Sequence, residues 1–140
     1  MAFELDLGSN AALEATPIVV DNTMFITSTF SIVHAVDAKT GAEKWRYDPM
    51  VPKDFRRRLC CGPINRGVAV YQGKVYVGTL DGRLVAIDAG SGEKVWEVNT
   101  IIDTERNYSI TGAPRAAKGK IFIGNGGAEF GVRGYVTAYD

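Results

Sequence analysis

With 140 residues, 46% of them hydrophobic, the chain is long enough for one domain with a buried core. Sixteen basic residues balance sixteen acidic ones, so no global field draws it to nucleic acid or to an anionic membrane surface, and any recognition has to be local. No apolar run reaches the roughly 18 residues of a membrane-spanning helix, and residues 1–10 have neither the basic start nor the apolar stretch of a signal peptide.

In chain order, the first recognisable element is Phe3-Glu-Leu-Asp6, which matches Trp45-Arg-Tyr-Asp48 and reads as the outer strand of a preceding unit. Residues 17–48 form the first whole unit. Its opening stretch, residues 17–27, reads as strand, tight turn, strand, and is followed by Val33-His-Ala-Val-Asp37, Gly41 and Trp45. Residues 68–99 repeat this pattern as Leu84-Val-Ala-Ile-Asp88, Gly92 and Trp96, with Asp37 and Asp88, Gly41 and Gly92, and Trp45 and Trp96 each 51 positions apart. In this second unit the turn Gln72-Gly73 separates two strands. Asp81-Gly82 turns into a third over residues 83–87, and residues 89–92 turn into a fourth over residues 94–98. Residues 114–140 begin a third unit with the turn Lys118-Gly119 and the stretch Val136-Thr-Ala-Tyr-Asp140.

Four short antiparallel strands recurring at this interval, with one Trp per unit and no sustained helical periodicity, predict an all-β chain. The expected architecture is a partial β-propeller of two full blades with partial blades at both ends. The regular Trp and Gly have a purely structural reading: the rings cover apolar surface between sheets, and the glycines permit the positive φ of tight turns. Propellers close with at least four blades, so open edges and self-association through them are expected of this chain alone.

Residues outside the repeat are those that scaffold alone does not explain. Residues 13–17, with Glu14, residues 59–67, with Cys60, Cys61, Asn65 and Arg66, and residues 109–114, with Thr111, each lead into the first strand of a unit. Equivalent positions lie at one end of a propeller near its axis, so the three segments are expected to converge. The adjacent Cys60 and Cys61 cannot staple distant parts of the chain: they are either two free thiols or bonded to each other in a strained ring of the kind found at functional sites. A fourth segment, residues 124–134, is glycine-rich, but its spacing fits neither a dinucleotide fingerprint nor a P-loop and no helix follows. It reads instead as backbone brought close to a flat ligand, with Glu129 as an oxygen donor for a cation such as calcium.

Taken together and in this order, Glu14, the Cys60-Cys61 pair followed by Asn65-Arg66-Gly67, Thr111-Gly-Ala-Pro114 and Gly127-Ala-Glu129-Phe-Gly-Val-Arg-Gly-Tyr135 resemble the quinone-site segments of pyrroloquinoline-quinone-dependent alcohol dehydrogenases. The repeated Asp, Gly and Trp positions resemble that family's tryptophan-docking motifs in an eight-bladed propeller. The resemblance runs from about Phe3 to Asp140. It implies a vicinal Cys60-Cys61 disulfide against one face of pyrroloquinoline quinone (PQQ), and contacts from Glu14, Arg66 and Thr111 to the quinone oxygens and carboxylates. It further implies nearby backbone from Gly126, Gly127 and Ala128, and Glu129 as a Ca2+ ligand. Arg suits paired carboxylate oxygens, and a cation at the quinone carbonyls would act as a Lewis acid.

The implied reaction is oxidation of a primary or secondary alcohol, in the periplasm for the parent family. No catalytic residue is assigned in this chain, because the family's catalytic aspartate, its asparagine metal ligand and the tryptophan on the other quinone face belong to later blades. The chain is therefore expected to be a fragment that turns over inefficiently alone. Gly62-Pro63 follows the cysteines where many relatives carry an acidic residue.

Several residues have plainer readings. Arg56-Arg57-Arg58 is a short basic run without an interleaved aromatic platform, hence a solvated loop and not a nucleic-acid site. His34 has no second His at ligand spacing and reads as an ordinary strand residue. Asp103, in a loop, and Asp140, in the repeat, are not candidates for a base. The alternative to the dehydrogenase reading is a non-catalytic propeller serving as a scaffold or assembly protein, which predicts ordinary loops ahead of each blade.

Overall fold

The computed structural model describes residues 3–140. Eleven strands form three antiparallel sheets in sequence order: β1 (Ile18–Val20), β2 (Thr23–Thr27), β3 (Val33–Asp37) and β4 (Glu43–Tyr47); β5 (Ala69–Tyr71), β6 (Lys74–Gly78), β7 (Arg83–Asp88) and β8 (Lys94–Asn99); and β9 (Arg115–Ala117), β10 (Lys120–Gly124) and β11 (Val136–Tyr139). The all-β blade architecture read from the repeat is what the chain adopts. Short 3-10 turns at Thr29–Ser31, Lys53–Arg58 and Ala128–Phe130 are the remaining regular elements, and none of the described helices is long and apolar enough to cross a membrane. The stretch from Phe3 to Asp6 forms no strand, and the Phe3 ring packs on Gly41.

The hairpins follow from their turn residues. Asp21 and Asn22, Gln72 and Gly73, and Lys118 and Gly119 all have positive φ at both central positions, the backbone whose twist matches that of the flanking strands. The longer turns between third and fourth strands are built around an aspartate. Asp37 Oδ1 accepts from the backbone N–H groups of Lys39 and Thr40, and Asp88 Oδ1 from those of Gly90 and Ser91. Gly41 and Gly92 then take φ of 75° and 77°. A Cβ on Gly92 would lie 2.7 Å from Trp45 Cγ, so the missing side chain is what lets the Trp45 ring settle there while its Nε1 donates to Ala89 O at 3.0 Å. One blade's outer strand is thereby pinned to the next blade's turn.

Burial reflects how many sides of each sheet are covered. Phe25, Val33 and Ala35 of the first sheet pack with Val75, Val77, Val85 and Ile87 of the second, and Tyr76, Leu84 and Ala86 pack with Ile110, Ile121 and Ile123 on the other side. The middle sheet is covered on both faces, so Leu84 through Ile87 form a continuous run at 0% exposure instead of an alternating pattern. In β10 only Ile121 and Ile123 are buried and Phe122 faces outward, the period-2 alternation of a strand covered on one side.

The backbone N–H groups of Thr40 and Lys39 hold the Asp37 carboxyl below the usual carboxylate range, and those of Ser91 and Gly90 do the same for Asp88. A depressed native pKa contributes stability that is present above the unfolded value and lost as pH falls through the native one. Melting temperature is therefore expected to drop as pH is lowered below about 4. Asp88→Asn, which keeps an acceptor but not the charge, should melt lower than the parent at neutral pH, and the gap should close in acid. A gap that persists unchanged at low pH would rule out this origin.

Candidate functional site

The three segments that lead into β1, β5 and β9 meet at Arg66. Its carbonyl accepts from Thr16 N–H at 3.3 Å, and its own N–H donates to Thr111 O at 2.9 Å, so the backbones of all three run side by side. Its guanidinium repeats the connection, with Nη2 3.0 Å from Glu14 Oε2 and Nη1 donating to Thr111 Oγ1 at 2.7 Å. Gly67 allows the approach: its φ is 117°, and a Cβ there would sit 3.0 Å from Thr16 O. Arg66 and Glu14 are each about half exposed, so their ion pair orients the guanidinium more than it stabilises the fold.

The position of Arg66 is set from below by Asn65, which is 2% exposed. Asn65 Nδ2 donates to Gly78 O at 2.8 Å and to Ser31 Oγ at 3.0 Å, its Oδ1 accepts from Gly67 N–H at 2.9 Å, and its carbonyl accepts from Thr27 Oγ1. One side chain thus fixes the second blade's lead-in segment to the first blade's turn and to β6.

Cys60 and Cys61 form a disulfide between adjacent residues, with Cα atoms 3.8 Å apart. Both cysteines are exposed, and they stand on the wall of a cleft of about 170 Å³. Across it is the glycine-rich segment, joined to the third lead-in by Gly126 N–H donating to Ser109 O at 2.7 Å. Gly127 is buried with φ 108°, and the turn Ala128–Phe130 places Glu129 on the same cleft.

Of the residues singled out in the sequence, Cys60, Cys61, Arg66, Thr111, Gly126, Gly127 and Glu129 line this cleft. Glu14 reaches it only through Arg66, and Ala128 is not on its wall. Ile64 and Ser109 also line it. They were not singled out because one reads as a generic apolar residue and the other as a loop hydroxyl, and only the Ser109–Gly126 pairing, invisible in a linear repeat, brings the latter in.

Among the described residues no group of three or more His, Cys, Asp or Glu side chains is placed to hold a metal ion. Asp103 lies in a loop as an ion-pair partner of Arg106, and Asp140 pairs with Lys120. Arg56 and Arg57 are exposed in the 3-10 turn, and Arg58 donates to Thr104 O.

Residues 4–140 match the family model described as "PQQ: Glucose/ethanol/alcohol dehydrogenase, beta-propeller domain". The chain is 59% identical over all 140 residues to the 1-butanol dehydrogenase (cytochrome c) of Thauera butanivorans, covering 20% of that protein. It superimposes on the quinohemoprotein alcohol dehydrogenase ADHIIG of Pseudomonas putida with a TM-score of 0.93 at 58% identity, covering 99% of this chain and 20% of that one. For the quinohemoprotein alcohol dehydrogenase of Comamonas testosteroni the TM-score is 0.89 at 53% identity, over 93% of this chain and 19% of the other. The chain thus spans about a fifth of the length of the relatives it matches.

Proposed function

The chain belongs to the PQQ β-propeller domain family of glucose, ethanol and alcohol dehydrogenases, and from that premise we propose that its cleft is one wall of a pyrroloquinoline quinone site in an enzyme that oxidises alcohols. The observation that carries this reading is the convergence of four separate segments, through Arg66 and the Ser109–Gly126 pairing, around an exposed disulfide. An ordinary scaffold propeller has no use for that arrangement.

The donor set suits a flat polyanion. The disulfide offers a polarisable surface to a ring face, Arg66 a planar fork for a carboxylate, Thr111 a hydroxyl, and Gly126 and Gly127 backbone that can approach a ring edge. At about 170 Å³ the cleft is smaller than the roughly 300–1,000 Å³ of a complete small-molecule pocket, as one wall of a larger site would be.

When bound, the quinone would supply the two-electron acceptor for the alcohol. This chain's residues would hold it: Arg66, itself held by Glu14 and Thr111, would fix its orientation, and Cys60-Cys61 would limit how deeply it enters. Glu129 would give a cation one carboxylate, whereas Ca2+ takes about six to eight oxygens, so the described residues would supply only part of a calcium site. A disulfide persists in oxidising compartments, which agrees with the periplasm. Self-association belongs to the same proposal, with the edge of β11, where Val136 is 73% exposed, as the surface.

Titration of the folded chain with PQQ, with and without Ca2+, followed by the quinone's absorbance, tests the reading. Saturable binding is expected, weakened roughly tenfold or more by Arg66→Ala, the cost of one charge-assisted hydrogen-bonded contact. It should also be weakened by Cys60→Ser/Cys61→Ser. Binding that ignores both changes would place the quinone elsewhere.

A further inference from the structure

A cleft of about 620 Å³ shares no lining residue with the one at the disulfide and lies where residues 6–11 pass the turn after β2. Ser28 and His34 are on its wall. Ser28 Oγ is 3.0 Å from His34 Nε2, and His34 Nδ1 is 3.0 Å from Glu43 Oε2. Because a carboxylate only accepts, it holds the ring proton on Nδ1 and leaves Nε2 free to accept from the Ser28 hydroxyl. Nucleophile, base and orienting acid stand in this order in acyl-transfer enzymes, on folds unrelated to one another.

The repeat supplies an internal control. The positions 51 residues on carry Thr79, Val85 and Lys94, and in the third sheet the residue after β10 is Asn125 and the second residue of β11 is Thr137. Both sheets form without the relay, so blade geometry does not require it.

The surroundings of Ser28 point the same way. It follows β2 directly in extended backbone, and two residues on come Phe30 and Ser31, non-glycine residues at φ 58° and 62°. Left-handed backbone at such residues is strained, and a serine at a sharp strand-to-turn corner is how a nucleophile is presented in hydrolases. The N–H of the following residue, Thr29, has no hydrogen-bond partner among the described residues, and the N–H after a nucleophile commonly serves as an oxyanion donor.

We propose that Ser28, His34 and Glu43 form an acyl-transfer site that hydrolyses small carboxylic esters, independent of the quinone reading. The Ser28 oxygen attacks the ester carbonyl as its proton passes to His34 Nε2. The carbonyl-to-alkoxy bond breaks, and the departing alkoxide takes that proton to leave as the alcohol. Water, giving a proton to His34, then displaces the acyl group from Ser28 as a carboxylic acid, and the proton returns to the serine. No oxidant or reductant is consumed. Arg46, Asp48, Lys53 and Arg56 make the cleft wall charged, which suits short polar acyl groups over long aliphatic ones.

The folded chain is incubated with a fluorophosphonate probe and, separately, with p-nitrophenyl acetate. Ser28 is expected to be the labelled serine in peptide mass spectrometry. Hydrolysis should fall to the buffer rate in Ser28→Ala and His34→Gln, and by roughly tenfold or more in Glu43→Gln. Absence of label at Ser28 in the folded parent chain, a result that depends on no variant folding, would overturn the proposal, and so would hydrolysis unchanged in Ser28→Ala. Lowered melting temperatures in the variants with an unlabelled parent would leave the relay as a structural tie between β2 and β4, which also overturns it.

Discussion

Asn65→Ala is expected to destabilise the chain by about 3 kcal/mol, roughly 10 °C in Tm, and to loosen the quinone-side cleft at the same time. The truncation removes no bulk apolar packing. Instead it leaves the Gly67 N–H without its acceptor and the Gly78 carbonyl without its donor, and deprives the fully buried Ser31 hydroxyl of the amide that donates to it. Each buried polar group stranded in this way costs on the order of 1–3 kcal/mol. Asn65→Asp separates the two halves of the interaction: it keeps the acceptor for Gly67 but sets a carboxylate against the Gly78 carbonyl, so it should be destabilised as well.

The consequence for the site follows from adjacency. Arg66 owes its place to the residue before it, and freeing the lead-in segment from β6 and from the turn at Ser31 lets the guanidinium leave Glu14 and Thr111. Thermal melts and PQQ titration on the same variant check both effects. Full stability in Asn65→Ala would show that water replaces the amide and that Asn65 is not the anchor.

The repeat, the tight turns and the convergence of the three lead-in segments were legible because each depends on local chemistry recurring at a fixed interval. The positive-φ pairs at Gln72-Gly73 and Lys118-Gly119 are examples, and so is the aspartate that caps each turn before a docked aromatic ring. What the sequence hid is chemistry made by tertiary pairing. His34 read as an ordinary strand position, since its partners come from the turn before β3 and from β4 beyond a register shift at Ala35/Val36, and no linear spacing announces that combination. Asn65 was visible only as part of a motif, not as the buried anchor it is. The exposure of Phe122 was equally hidden: Lys120-Ile-Phe-Ile-Gly124 is as apolar as Lys74-Val-Tyr-Val-Gly78, and only the number of covered faces makes one alternate while the other is buried.

Gly127→Ala should be the more damaging of two superficially identical changes in the glycine-rich segment, costing about 3 kcal/mol where Gly131→Ala costs about 1 kcal/mol. Both glycines have positive φ, 108° and 72°, so both replacements carry a backbone penalty. Around Gly131 nothing lies within 4 Å of an added Cβ, and the penalty ends there. At Gly127 the new methyl would meet the carbonyl oxygen of Asn107 and lie 2.8 Å from Val132 Cγ2. Asn107 cannot retreat cheaply, because Tyr108 behind it is buried and packed at a tilt against the Tyr135 ring, and Ser109 is paired to Gly126. The strain is expected to be released by opening that pairing, which would carry Glu129 away from the cleft. Hydrogen exchange reads it directly: the Gly126 amide, 2.7 Å from Ser109 O, should be protected in the parent and in Gly131→Ala and lose protection in Gly127→Ala. Equal stability and equal protection in the two variants would mean that the cleft wall is soft, and that a ligand, not the chain, sets the position of Glu129.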